Sequence, residues 1–222
     1  MPALSSIARA LQRRLARASS SRPCVIAITG AVAVGKSTFA RALRRALLRR
    51  IGAPIELVCS DGFLISDAEL KSTGAFDRKG HPESYRHAEL AAFFAAIGAG
   101  AREISVPIYS HSTRGVVGQR SIAVPRALIF EGVYAVQPAR ASGLDCVSLF
   151  LDAEAEDIER SYLDRFVRLH GARFPNEADA RSYGRQVYER VNRPNLALHI
   201  APLRAQADHV LLRRPDGVWQ LD

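Results

Sequence analysis

Apolar residues recur along this chain with two periods that take turns, and that alternation predicts an α/β fold. Short continuous apolar runs mark buried strands at residues 24–29, 55–60, 128–130, 147–151 and 209–212. Helical spacing separates them. In residues 36–50, Phe39, Leu43 and Leu47 share one face while arginines occupy the others, and Gly52 and Pro54 close the element. Further helices are expected over residues 86–97, 154–170 and 177–192. Strand–helix alternation of this kind predicts a mainly parallel sheet flanked by helices.

The intervening segments carry less pattern. Residues 61–87 are polar, with glycines and a proline, and read as a long functional loop with short helical pieces. Residues 104–109 are extended, and 111–119, with two glycines, read as a turn. The apolar run 88–101 is interrupted by Glu89 and falls short of the ~20 residues a bilayer requires, so it reads as a buried helix. No membrane partner is expected.

Residues 1–22 are rich in Arg, Ala and Ser and precede the first acid, Glu56. An organelle transit peptide has this composition. Leu4, Ile7, Leu11 and Leu15 nevertheless fall on helical spacing, and nothing after them resembles a processing site, so a docked basic helix is favoured. Residues 23–222 then form a single domain, with no internal repeat or low-complexity linker.

Composition changes this picture little. The 222 residues are 48% hydrophobic and 24% charged, ordinary for a globular enzyme. A formal charge of +9 favours anionic ligands. The charge is spread along the chain and no base-reading module accompanies it, so no specific nucleic-acid partner is expected. Cys24, Cys59 and Cys146 form neither a CxxC nor a Cys/His cluster, which fits buried thiols in a cytoplasmic, reducing compartment.

The candidate chemistry begins at Gly30, Ala31, Val32, Ala33, Val34, Gly35, Lys36 and Ser37, followed by Thr38. This is GxxxxGK[ST], set after an apolar strand and before an amphipathic helix. Glycines let the backbone wrap phosphates, and the N–H groups at the helix start point at them. Lys36 supplies a point charge to the β- and γ-phosphates, and the Ser37 hydroxyl suits Mg²⁺. The fold expected is therefore a P-loop NTPase-type parallel sheet with a helical lid and acceptor region over about residues 154–204, and the cofactors are ATP and Mg²⁺. Glu131, ending an apolar strand, is the second candidate metal residue. Asp152 ends another strand, but helix capping before Ala-Glu-Ala-Glu accounts for it. Asp61 tops the second strand, where a carboxylate can accept the proton of an acceptor hydroxyl. An Asp-Gly turn is the plainer reading of the same residue.

Several blocks together resemble one family, the type I (prokaryotic) pantothenate kinases. They are Gly30 to Thr38, Ser60-Asp-Gly-Phe-Leu64, Arg78-Lys-Gly-His-Pro-Glu-Ser-Tyr85 and Val106-Pro-Ile-Tyr-Ser-His111. Leu128-Ile-Phe-Glu-Gly132, Tyr162-Leu-Asp-Arg-Phe166, Asn195-Leu196 and Pro202-Leu-Arg204 follow in order. The resemblance implies phosphorylation of pantothenate by ATP, the entry to coenzyme A synthesis. It implies Asp61 as base, and Lys36 and Arg165 as charge clamps on the transferring group. Tyr85, Tyr109, His111, Tyr162, Phe166, Asn195 and His199 would lie on the acceptor side, and Arg41 would answer to feedback by coenzyme A.

The departures cluster at the acceptor. The family is longer, at its N-terminus and where this chain has residues 175–191. Arg114-Gly115 stands after Tyr-Ser-His where a Tyr-Asp is usual, and His199 replaces an asparagine. A related kinase for a nucleoside, sugar or hydroxy acid is the alternative these changes support. A third reading, an ATP-binding switch protein, leaves Asp61 without a role. The expected partner is a small-molecule substrate, with a homodimer left open.

Overall fold

The structure, a computed structural model, describes residues 2–17 and 22–222; residues 1 and 18–21 of the expected N-terminal segment lie outside the described residues. The elements follow in chain order: α1 (Pro2–Arg17), β1 (Cys24–Gly30), α2 (Lys36–Ile51), β2 (Ile55–Cys59), α3 (Asp67–Ser72), α4 (His87–Gly98), β3 (Glu103–Ser110) and β4 (Gly115–Ala123). Then come β5 (Ala127–Glu131), α5 (Val136–Ala141), β6 (Cys146–Ala153), α6 (Ala155–His170), α7 (Glu177–Val187), β7 (His209–Arg213) and β8 (Trp219–Leu221).

The main sheet has the order β2-β5-β1-β6-β7-β8, with every pair parallel except the last. Strand β1 is buried at every position because helices cover both sheet faces, which is why it reads as an unbroken apolar run. On one face α1 and α2 bring Ile7, Leu11, Leu43 and Leu47 onto Ile26 and Ile28. On the other, α4 brings Leu90, Phe93 and Phe94 onto Phe130. Burying a large aliphatic or aromatic side chain contributes about 1.5–3 kcal/mol, and Ile7, Leu11 and Leu15, all 2% exposed or less, are the anchors by which α1 docks on the core.

Parallel strands end on the same sheet edge, and the register brings the chemistry there. Glu131 at the end of β5 pairs with Ile28 of β1 and with Cys59, the last residue of β2. The phosphate loop after β1, Asp61 after β2 and Glu131 therefore open onto one crevice.

Four parts of the chain differ from expectation. Residues 115–123 are a strand, not a turn; only four residues separate it from β3. The ribbon leaves Val116 and Val117 both exposed, so no inside–outside alternation marks it in the sequence. Helix α5 is only six residues long, with Pro138 in its first turn, and β8 buries only Trp219, so neither carries a readable period. The second strand stops at Cys59, and Ser60–Phe63 tightens into a 3₁₀ turn that lifts Asp61 out of the sheet plane.

Helices α6 and α7 form the lid region. Gly184 permits their close approach, since a Cβ there would lie 2.9 Å from the Phe166 ring. Beyond α7 the chain stays helical but widens into π-type turns at Tyr188–Asn192 and Leu196–Ile200. Such bulges accumulate at functional sites.

Candidate active site

Residues 30–37 form the turn that the glycines dictate. Gly30 has φ 143° and its missing side chain leaves room for the Leu151 carbonyl oxygen, which a Cβ would approach to 2.2 Å. Ala33 takes a left-handed φ of 61°, a conformation alanine accepts only at a cost. Lys36 is folded into the loop it serves: its Nζ donates to the carbonyl oxygens of Gly30 (3.1 Å) and Ala31 (2.7 Å). Burial lowers its pKa, and Arg165 lowers it further, while Glu131 and Asp61 act in the opposite direction.

Ser37 Oγ donates to Glu131 Oε1 at 2.7 Å, joining the start of α2 to the end of β5. Glu131 is 3% exposed, and burial raises its pKa against the opposing pull of Lys36 and the Ser37 hydroxyl. These two oxygens are the hard donor set that Mg²⁺ prefers. Asp61 Oδ2 sits 4.0 Å from His111 Nδ1, so the end of β3 faces the end of β2. The His111 pKa is lowered chiefly by burial, with Arg165, Lys36 and Arg41 adding to it and Asp61 opposing them. Its ring meets Tyr109 edge-on at 5.2 Å.

A cavity of about 1140 Å³ takes in these groups. Lys36, Ser37, Asp61, Glu131 and Arg165 all line it, as do Val32, Ala33, Gly35, Thr38 and Arg41 on the phosphate side. Of the expected acceptor residues, Tyr109, His111, Tyr162, Phe166 and Asn195 line the same space. Tyr162 and Phe166 belong to an aromatic lid: Tyr162 packs on Tyr188 at 5.2 Å, and Phe166 meets Phe174 and Tyr183 at 6.1 Å. Asn195 is buried, and its Nδ2 donates to the Gly80 carbonyl at 2.8 Å.

Gly30, Ala31 and Val34 of the expected phosphate loop do not line the cavity, Ala31 and Val34 being packed into the core; on the acceptor side two expected residues stand apart. Tyr85 is 2% exposed and packs against Tyr134 (4.8 Å) behind the wall, because its loop turns it inward as an anchor for Leu64. His199 turns away from the cavity and meets the His81 ring edge-on at 5.3 Å. Conversely, a polar wall escaped the sequence reading. Lys79 and Arg114 both bond to Asp67, and Lys79 Nζ also donates to the Arg114 carbonyl at 2.9 Å. Both cations line the cavity. Lys79 lies in the Arg78–Tyr85 motif and Arg114 where the family pattern has changed, but Asp67 had only its place in a capped helix to mark it.

A phosphate loop, an acid at the neighbouring strand end and a second carboxylate facing the same cavity define a P-loop phosphotransferase. The sequence pattern of the Phosphoribulokinase / Uridine kinase family matches residues 25–216. A pantothenate kinase of Streptomyces coelicolor is 40% identical over 89% of this chain and 68% of its own length. One from Sorangium cellulosum is 40% identical over 91% and 72%. The chain thus belongs to the phosphoribulokinase/uridine kinase family and, within it, to the pantothenate kinases. Among solved structures, a putative fructose transport system kinase from Silicibacter sp. TM1040 superposes with a TM-score of 0.73 at 24% identity, covering 87% of this chain and 92% of that one. The D-glycerate 3-kinase from Cryptococcus neoformans does so at 0.64 with 11% identity, covering 98% and 97%. These likenesses carry the fold. No helix among the described residues is long and apolar enough to cross a membrane.

Proposed function

We propose that this chain transfers the γ-phosphoryl group of ATP to the hydroxyl of pantothenate, giving 4′-phosphopantothenate and ADP. The observation that carries the reaction is Asp61 in one cavity with Lys36, Ser37 and Glu131. The acceptor rests on the pantothenate kinases that resemble the chain at 40% identity. Asp61 accepts the hydroxyl proton as the oxygen attacks phosphorus. Lys36 leaves the Gly30 and Ala31 carbonyls for the β- and γ-phosphates, whose oxygens make the stronger, charge-assisted bond. Arg165, on the lid, neutralises charge on the transferring group. The N–H groups of residues 30–38 hold the remaining phosphate oxygens.

Ser37 and Glu131 would hold Mg²⁺, which when bound neutralises charge shared by the β- and γ-phosphates. Tyr109, His111, Tyr162, Phe166 and Asn195 contact the acceptor, with Tyr85 and His199 supporting the wall from behind. Arg41, on the cavity side of α2, pairs with the 3′-phosphate of coenzyme A as feedback inhibitor. Equal inhibition of wild type and Arg41→Ala would remove that role. A cytoplasmic location belongs to the same proposal. A second reading, a kinase for another anionic alcohol, is favoured by Lys79 and Arg114 in the cavity wall.

A coupled ADP-release assay at fixed Mg-ATP, run over pantothenate, pantetheine, uridine, ribosylnicotinamide and glycerate, tests both. Pantothenate is expected to give the highest kcat/KM. Another winner overturns the acceptor and leaves the kinase; no ADP release with any of them overturns the kinase.

A further inference from the structure

His81, Glu83 and His199 converge outside the cavity. Each can present one ligand atom within 4.8 Å of the other two. Two imidazoles and a carboxylate are a donor set suited to a borderline divalent cation such as Zn²⁺, with a fourth position left to water.

A second observation singles out His81. It is only 6% exposed, yet its Nδ1 has no hydrogen-bond partner. The other nitrogen, Nε2, lies 3.3 Å from the Val191 carbonyl oxygen. A carbonyl accepts and cannot donate, so it fixes the proton on Nε2 and leaves the lone pair on Nδ1. Metal-bound histidines are held in this way, with the far N–H on a backbone carbonyl that sets tautomer and ring orientation. A buried imidazole nitrogen without a partner is otherwise costly.

The remaining two ligands are adjustable. Glu83 is on the surface, ion-paired with Arg78, and His199 is partly exposed with its ring against that of His81. Small rotations bring their donor atoms from the present spacing onto one ion. We infer that His81, Glu83 and His199 form a binding site for a Zn²⁺-class divalent cation. The ion joins the loop 79–85 to the helical segment 191–200. Lys79 of the first and Val191 and Asn195 of the second are walls of the cavity, already linked by the Asn195 bond to Gly80. The cation therefore ties these two walls of the acceptor side together from behind, without touching the phosphate loop.

The test uses the full chain, stripped with chelator and titrated with Zn²⁺ against a chromophoric chelator. Excess Mg²⁺ is kept present throughout, to fill the oxygen ligands at Ser37 and Glu131. One Zn²⁺ per chain is expected, with a rise in Tm on binding. Co²⁺ in its place should show the visible absorption of a tetrahedral site. Glu83→Gln at the surface and His199→Asn at a partly exposed position, both compatible with folding, should each weaken binding by at least ~10-fold, the lower end of what even outer-shell changes cost. His81→Phe, checked for folding by circular dichroism, should abolish it. Failure of wild type to bind Zn²⁺ overturns the site. So does binding that stays within about twofold in Glu83→Gln and His199→Asn, which would mark an adventitious ion only. The readouts are metal affinity and Tm, so they stand or fall separately from the identity of the phosphate acceptor.

Discussion

The two sides of the cavity are built by different means. The phosphate side comes from one continuous stretch, residues 30–38, whose backbone shape follows from its glycines and from a helix that starts at Lys36. The acceptor side is assembled from side chains on at least four separate segments: Lys79, held by Asp67 behind it, Tyr109 to Arg114, Tyr162 to Phe166, and Val191 to Asn195. A backbone cradle tolerates variation in the side chains around it. A wall of side chains changes its specificity with each substitution. Of the two substituted positions that depart from the pantothenate kinase pattern, Arg114 lines the second side and His199 lies behind it; neither touches the phosphate side.

The sharpest way to break this comparison is at the junction, where Asp61 belongs to neither ligand alone. Asp61→Asn keeps the shape but cannot take a proton. General-base loss of this kind costs about 10²–10⁴ in kcat, while ATP affinity should stay within a few-fold. Single-turnover kinetics with a nucleotide-binding measurement separates the two. If ATP affinity collapses and kcat survives, Asp61 belongs to the phosphate side.

Lys36→Ala probes the cradle itself. The lysine is buried but bonds only to loop carbonyls, so the fold should persist. Removing a transition-state charge contact costs about 10²–10³ in kcat. A mutant with more than half the wild-type rate would take Lys36 out of the mechanism.

Arg114→Ala tests the other side. With Asp67 still paired to Lys79, the wall should stand while one cation is lost. A hydrogen bond to a charged group is worth about 1.5–3 kcal/mol, or ~10–100-fold in acceptor KM. The KM for ATP should change less than about twofold, because Arg114 lies outside the phosphate loop. Equal rises in both constants would show that the two sides are not separable.

The same contrast explains what could be read from the sequence. Gly30 to Thr38, Asp61 and Glu131 were legible because short spacing and strand ends fix them, and a parallel sheet sends every strand end to one edge. Helix α2 declared itself by period, α4 by its apolar run and α6 by its charged stretch. The ribbon β3–β4 half escaped, since Val116 and Val117 are both exposed and give no alternation. On the acceptor side, sequence position could not tell inward from outward. Asn195 and His199 are four residues apart on one helical segment, yet Asn195 reaches the cavity and His199 does not. The π-type turn over Leu196–Ile200 shifts the helical phase between them, and no local pattern announces it. Asp67 was invisible as a site residue because its partners, Lys79 and Arg114, are 12 and 47 residues away.

The smallest expected effect lies where the two sides meet electrostatically. His111 faces Asp61 across 4.0 Å and is surrounded by Arg165, Lys36 and Arg41. Burial and these cations lower its pKa below the ordinary histidine value, so the ring is neutral at pH 7 and gains a proton only on the acid side of that value. Once protonated, it pairs with Asp61 and stabilises the charged carboxylate, which makes the base a poorer proton acceptor. The sign is therefore fixed: kcat/KM for the acceptor should be level above the ordinary histidine pKa and decline as pH falls through the lowered one. His111→Gln, which carries no proton to gain, should lose that limb and retain only the decline from the carboxylates at lower pH. ATP binding to the loop should differ less between the two proteins than the acceptor kcat/KM does, because no atom of His111 belongs to the cradle and only its charge reaches Lys36 and Arg165. Identical acid limbs for wild type and His111→Gln would assign the titration elsewhere and leave His111 as a wall residue of the acceptor side.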